Sequence, residues 1–111
     1  MKKKEAPQFC RHPWHGVSPG SNPPKLVNAV IEVPLNSKAK YEVHKPSGLL
    51  MLDRYLNSAA FYPANYGFIP RTYCDDNDPL DILVFSQTSV APMTIMTVFF
   101  IINLIINRLK F

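Results

Sequence analysis

Between Leu26 and Phe85 the chain alternates short apolar runs with charged or turn-forming residues at a spacing that predicts strands. Leu26 to Val33 is apolar and β-branched, broken by Glu32, and from Ala39 to Val43 small or apolar side chains alternate with Lys40 and Glu42. Lys45-Pro46-Ser47-Gly48 is a turn signal, after which Leu49 to Tyr55 reads as the returning strand of a hairpin carrying Asp53 and Arg54. Further extended pieces are expected at 59–62, 66–69 and 80–85, separated by Pro63, Pro70 and an acidic segment. No stretch before residue 93 carries a sustained helical period, and no internal repeat is present. Short strands closely spaced by turns predict a mainly β fold, a small barrel or sandwich.

This pattern divides the chain into three regions. Residues 1–25 hold Pro7, Pro13, Pro19, Gly20, Pro23 and Pro24, which remove backbone donors and fix φ, so an irregular arm lying over the surface is expected. Its His12-Pro13-Trp14-His15 offers two histidines and no third ligand nearby, and reads as surface histidines beside an anchoring tryptophan. Residues 26–90 form the strand-rich domain. Residues 91–111 are apolar and contain no acidic side chain. For this tail a substitute core strand, a hydrophobic anchor and a non-native read-through all compete, and the last is the expectation carried forward. The tail is shorter than the ~20 apolar residues that span a bilayer and has Asn103 inside it, so no membrane partner is expected.

Composition narrows the classes. A chain of 111 residues makes one small domain or part of one, and 47% hydrophobic with 18% charged residues suits a folded chain. The net charge of +4 owes much to Lys2, Lys3 and Lys4, a solvated run. No basic stretch interleaved with aromatic residues follows, so nucleic acid is not an expected partner. Cys10 and Cys74 follow no apolar leader and read as reduced thiols in a cytoplasmic protein.

Chemistry concentrates in Asp75-Asp76-Asn77-Asp78-Pro79-Leu80-Asp81. In an extended backbone Asp76 and Asp78 project to one side, Pro79 blocks ladder pairing there, and Asp81 opens the apolar run Ile82 to Phe85. Carboxylates held this closely repel unless a cation or basic groups compensate. Oxygen-only donors suit Mg²⁺, Mn²⁺ or Ca²⁺ and disfavour zinc, and the spacing fails the Ca²⁺ loop that needs Gly at its sixth and Glu at its twelfth position. An exposed acidic loop making Asx turns is the bland alternative. Against it, Glu32, Lys40, Glu42 and Arg54 also interrupt strands, where charge is costly unless paired or used. Carboxylates for cations beside Lys40 and Arg54 for phosphate oxygens make a set fit for phosphoryl chemistry, although a salt-bridge network would use the same residues. In the cluster Phe61 to Phe68, Tyr62 or Tyr66 could point a hydroxyl into such a site, and spacing does not choose between them.

Glu32, Lys40-Tyr41-Glu42, Asp53-Arg54, Phe61-Tyr62-Pro63-Ala64-Asn65-Tyr66-Gly67 and Asp76-Asn77-Asp78-Pro79-Leu80-Asp81 together resemble, in order and spacing, the family I soluble inorganic pyrophosphatases. The resemblance spans roughly residues 12–90, and His12-Pro13-Trp14-His15 is similar to the plant members. It implies an oligonucleotide-binding-like five-stranded barrel and hydrolysis of pyrophosphate to two phosphates with Mg²⁺. Asp76 and Asp81 would then ligate activating metals, and Glu42 would reach a metal that accompanies the substrate. Asp78 would take the proton of the attacking water, Lys40 and Arg54 would grip phosphate oxygens, Tyr66 would donate to phosphate or hold the site, and Glu32 would support metal and water positions.

The resemblance also implies a further strand pair with two metal-binding aspartates and a lysine, a tyrosine-lysine pair for phosphate and a closing helix, none of which this sequence contains. An incomplete barrel with impaired turnover is therefore expected. The alternatives are a non-catalytic subunit that joins full-length pyrophosphatase, a homo-oligomer, and a tail-anchored metal-binding protein.

Overall fold

The computed structural model describes residues 12–23, 25–57, 60–72 and 79–99. These residues form six antiparallel strands and no helix: β1 (Leu26–Val33), β2 (Ala39–Val43), β3 (Leu50–Tyr55), β4 (Asn65–Ile69), β5 (Leu80–Val84) and β6 (Ile95–Phe99). One sheet has the order β5-β4-β1-β6, and β2 and β3 form a separate hairpin. The sheets do not close on themselves, so the architecture is an incomplete barrel.

β1 lies between two partners and buries both faces, which explains its nearly unbroken apolar sequence. One face, with Val27, Ala29 and Ile31, packs on Ile69, Ile82 and Val84. The other brings Val30 against Phe68, Val43 and Trp14. A third cluster joins Val33 to Tyr62, Ala64, Tyr66 and Leu83. The close approach of β1 and β4 depends on Gly67, paired with Ile31, because a Cβ there would sit 1.9 Å from the Val30 carbonyl oxygen.

The hairpin turn forms where the sequence places it. Gly48 adopts φ +80°, and the His44 carbonyl accepts from the Ser47 and Gly48 amides at 3.2 and 2.7 Å. The hairpin meets the larger sheet through the Val43 cluster and through a hydrogen bond from the Val43 amide to Glu32 Oε2, 2.8 Å.

Two expectations change. Residues 60–62 do not form a strand: the Tyr62 amide donates to the Ser37 carbonyl and the Tyr62 carbonyl accepts from Asn36, which pulls Tyr62 into the core. The arm does more than lie over the surface, since Trp14 is only 6% exposed and fills its cluster between the sheets. Within the tail, β6 pairs with β1 in continuous register from Leu26↔Phe99 to Val30↔Ile95. Met96 and Val98 turn towards the core while Ile95 and Phe99 face outwards, the period of a half-buried strand. The substitute-strand reading thus describes 95–99, and residues 100–111 lie outside the described residues, as do Cys10 and Cys74.

Candidate active site

Two interruptions of strand pairing place the charged residues. On β1, Ile31 pairs with Gly67 and Val33 with Tyr66, which leaves Glu32 as the extra residue of a β-bulge. The bulge turns Val33 to the face of Tyr66 and Leu83 and aims Glu32 at the hairpin. On the hairpin, Lys40 pairs with Arg54 but Tyr41 pairs with Leu52, so Asp53 is the extra residue. Asp53 Oδ2 then lies 3.3 Å from Lys40 Nζ.

Electrostatic coupling shows which groups converge. Burial raises the Glu32 carboxyl to a pKa of about 8, against the Val43 hydrogen bond and Lys40, which lower it; the negative charges of Asp81 and Glu42 raise it further. Burial also lifts the Tyr66 phenol far above its usual range, and Asp81 adds to the effect by its charge and by accepting a hydrogen bond from the hydroxyl. Tyr62 is pushed up to about 12 by burial; Arg54 opposes the rise, while Glu32, Asp53 and Asp81 add to it. The rings of Tyr62 and Tyr66 meet edge to face, centroids 5.3 Å apart.

Electrostatic interactions thus link Glu32 to Lys40, Glu42 and Asp81, Tyr66 to Asp81 and Glu32, and Tyr62 to Arg54 and Asp53, where the hairpin meets the sheet. Glu42 and Arg54 are exposed, Lys40 and Asp81 are partly buried, and Tyr66 is buried. Of the two hydroxyls that spacing left open, Tyr66 binds Asp81 directly. Asp76 and Asp78 lie outside the described residues, but both ends of their segment are tied beside Asp81. Thr72 Oγ1 donates to the Ile69 carbonyl at 2.7 Å and accepts from the Leu80 amide at 2.9 Å. Among the described residues no three of His, Cys, Asp and Glu come close enough to hold an ion by themselves. The described donors are carboxylate and phenol oxygens, which suit a hard cation; burial is the main cause of the raised Glu32 carboxyl, and the charges of Asp81 and Glu42 add to it.

Sequence reasoning missed two residues that hold loops beside the site, Thr72 and Asn65. Asn65 is fully buried; its Oδ1 accepts from the amides of Leu35 at 2.9 Å and Val90 at 3.3 Å, and its Nδ2 donates to Ser86 Oγ and the Thr88 carbonyl. It pins two loops next to Tyr66. Its place within an aromatic motif was the only hint.

A family model described as inorganic pyrophosphatase matches residues 29–106, most of the chain and including β6. The chain belongs to the inorganic pyrophosphatase family. Among curated pyrophosphatases it is 54% identical over 82 residues to soluble inorganic pyrophosphatase 2 of Chlamydomonas reinhardtii, covering 74% of this chain and 43% of that one. It is 52% identical over 81 residues to the soluble inorganic pyrophosphatase of Oryza sativa subsp. japonica, covering 73% and 38%. This pyrophosphatase-family chain therefore spans about two fifths of the length of those relatives. Its fold is similar to the crystal structure of inorganic pyrophosphatase from Thermus thermophilus, with a TM-score of 0.72 and 44% identity over 75% of this chain and 48% of that one. The likeness establishes the strands as part of an oligonucleotide-binding-like pyrophosphatase barrel.

Proposed function

We propose that the charged residues where β1, β4 and β5 meet the hairpin form one side of a site for Mg²⁺-assisted hydrolysis of pyrophosphate to two phosphates. The observation that carries this reading is the electrostatic linkage of Glu32 with Lys40, Glu42 and Asp81, of Tyr66 with Asp81, and of Arg54 with Tyr62, in a chain of this family. Asp76, Asp81 and Glu42 are the residues that would hold Mg²⁺, with Glu32 supporting them. When bound, the cations neutralise the tetra-anionic substrate and lower the pKa of water. Lys40 and Arg54 orient the phosphates by charge and directed N–H groups. Tyr66, which is kept neutral by its raised pKa, donates its proton in a hydrogen bond and does not ionise. Asp78 accepts a proton from the attacking water, a task for which a carboxylate suffices once that water is acidified.

On this reading the residues described here support cation binding more than turnover, because contacts made in the transition state set the rate. Titration of the full chain with pyrophosphate in Mg²⁺, followed by phosphate release, tests both parts. Expected are detectable binding, lost in Asp81→Asn, and turnover well below that of the Chlamydomonas relative. Equal turnover would sink the impairment, and no binding would sink the site.

A second reading, a non-catalytic chain that associates with full-length pyrophosphatase, is favoured by the exposure of Leu49, Met51, Leu52 and Tyr55 along the hairpin. We place either form in the cytoplasm; no helix among the described residues is long and apolar enough to cross a membrane.

A further inference from the structure

We infer that His12 is a positioning residue that latches the N-terminal arm to the tip of the hairpin and thereby holds the hairpin and its charged residues against the sheet. Its ring is used on both sides. Nδ1 faces the amides of Trp14 at 3.1 Å and His15 at 3.4 Å, so it accepts. Nε2 lies 2.5 Å from the Lys45 carbonyl oxygen, which only accepts, so Nε2 carries the proton. The geometry therefore fixes one neutral tautomer that spans arm and hairpin turn.

The next residues of the chain extend this latch into a strap. The Gly16 amide closes a turn on the His12 carbonyl at 2.7 Å, which buries Pro13 and Trp14. Trp14 packs against Val30 of β1, Val43 of β2 and Phe68 of β4. Beyond it, the His15 carbonyl accepts from Arg71 Nε at 3.1 Å, and Arg71 sits at φ +58°, a conformation costly for a side-chain-bearing residue and held here at the corner that leads to 73–78. Residues 12–16 thus join the hairpin that carries Lys40, Glu42 and Arg54 to the corner from which the acidic segment departs. The tip fits the strap closely, since a Cβ on Gly48 would meet Pro13 Cδ at 3.0 Å and His12 Cδ2 at 3.2 Å. Val43, whose amide binds Glu32, lies directly beneath Trp14, so loosening the strap loosens the contact between Glu32 and the hairpin.

Two substitutions separate a latch from a local cap. His12→Asn keeps an acceptor for the Trp14 and His15 amides, as side chains that cap a turn do, but is too short to reach Lys45. His12→Phe keeps bulk and loses both bonds. Amide exchange of the full chain, read on peptides from 39–55 and from the β1–β6 pair, decides between them. A latch predicts that both variants speed exchange in 39–55 roughly three- to tenfold, the effect of one lost hydrogen bond, with β1–β6 unchanged. Wild-type protection in His12→Asn, or an equal rise in both regions, would overturn the proposal by showing a local cap or general destabilisation. The consequence for ligand rests on the pyrophosphate reading. In Mg²⁺, pyrophosphate should bind several-fold more weakly to His12→Asn at little change in melting temperature. If the wild type binds none, that reading fails while the exchange result still judges the strap; if both bind equally, the strap has no positioning role.

Discussion

At the residue scale, Glu32 is the most informative group of the candidate site. Its carboxyl titrates near 8 in the fold against 4.5 as its ordinary value, so the folded chain keeps a proton that the unfolded chain gives up between those values. The stabilising contribution is whole below pH 4.5 and is lost as pH rises through 8. Each pH unit in that window costs up to about 1.4 kcal/mol, roughly 5 °C in melting temperature for a domain of this size. Metal-free wild type should therefore melt progressively lower from pH 5 to pH 8, and Glu32→Gln should flatten the curve; a parallel decline in the variant would assign the effect elsewhere. Asn65 presents the opposite case, a buried polar group with every bond made. Asn65→Ala leaves the Leu35 and Val90 amides without their acceptor and should cost about 2–4 kcal/mol in urea unfolding. Charges that interrupt strands were legible in the sequence, because burying them needs a reason. Asn65, Thr72 and His12 were not, since an ordinary polar residue gives no sign of partners 8 to 33 positions away in the chain.

At the scale of elements, alternation located β1 and β2 to the residue and β3, β4 and β5 to within one. It did not place β6, which entered only as one of three readings of the tail, because 95–99 lies inside a longer apolar run whose two-residue period shows only once β1 is beside it. The bulges at Glu32 and Asp53 were likewise invisible, since a bulge is a property of two strands. Yet they place the charged residues: without the slip at Glu32, Val33 would stay on the face of Ile31 and the carboxylate would not meet Val43. The assignment of β6 has a sided test. Val98→Asp puts a charge opposite Val27 and against the core cluster and should cost about 3 kcal/mol or more, whereas Ile95→Asp on the exposed face should stay within about 0.5 kcal/mol. Equal effects on melting temperature would remove β6 from the sheet. Gly67→Ala tests the neighbouring contact, where the Val30 carbonyl leaves no room for a methyl group, and a loss of about 3 kcal/mol is expected in urea unfolding.

At the scale of the molecule, the larger sheet has well-filled faces while the hairpin does not. Leu49, Met51, Leu52 and Tyr55 are between 46% and 70% exposed, and Phe99 on the other edge strand is 72% exposed. Isolated exposed apolar residues are ordinary, but several along one strand whose outer edge has no ladder partner among the described residues make a surface that other chains can pair with. Among the described residues the hairpin is held to the sheet by Val43, Trp14 and the His12 latch. Concentration should therefore matter: sedimentation velocity of the chain should show association that grows with protein concentration and weakens when Met51 and Leu52 are both changed to lysine. The two side chains lie on opposite faces of β3, so the double change charges both while leaving Lys40, Glu42 and Arg54 in place. A monomer at every concentration would mean that the exposed strand is tolerated as it stands, and the associating-subunit reading would lose the observation that favours it.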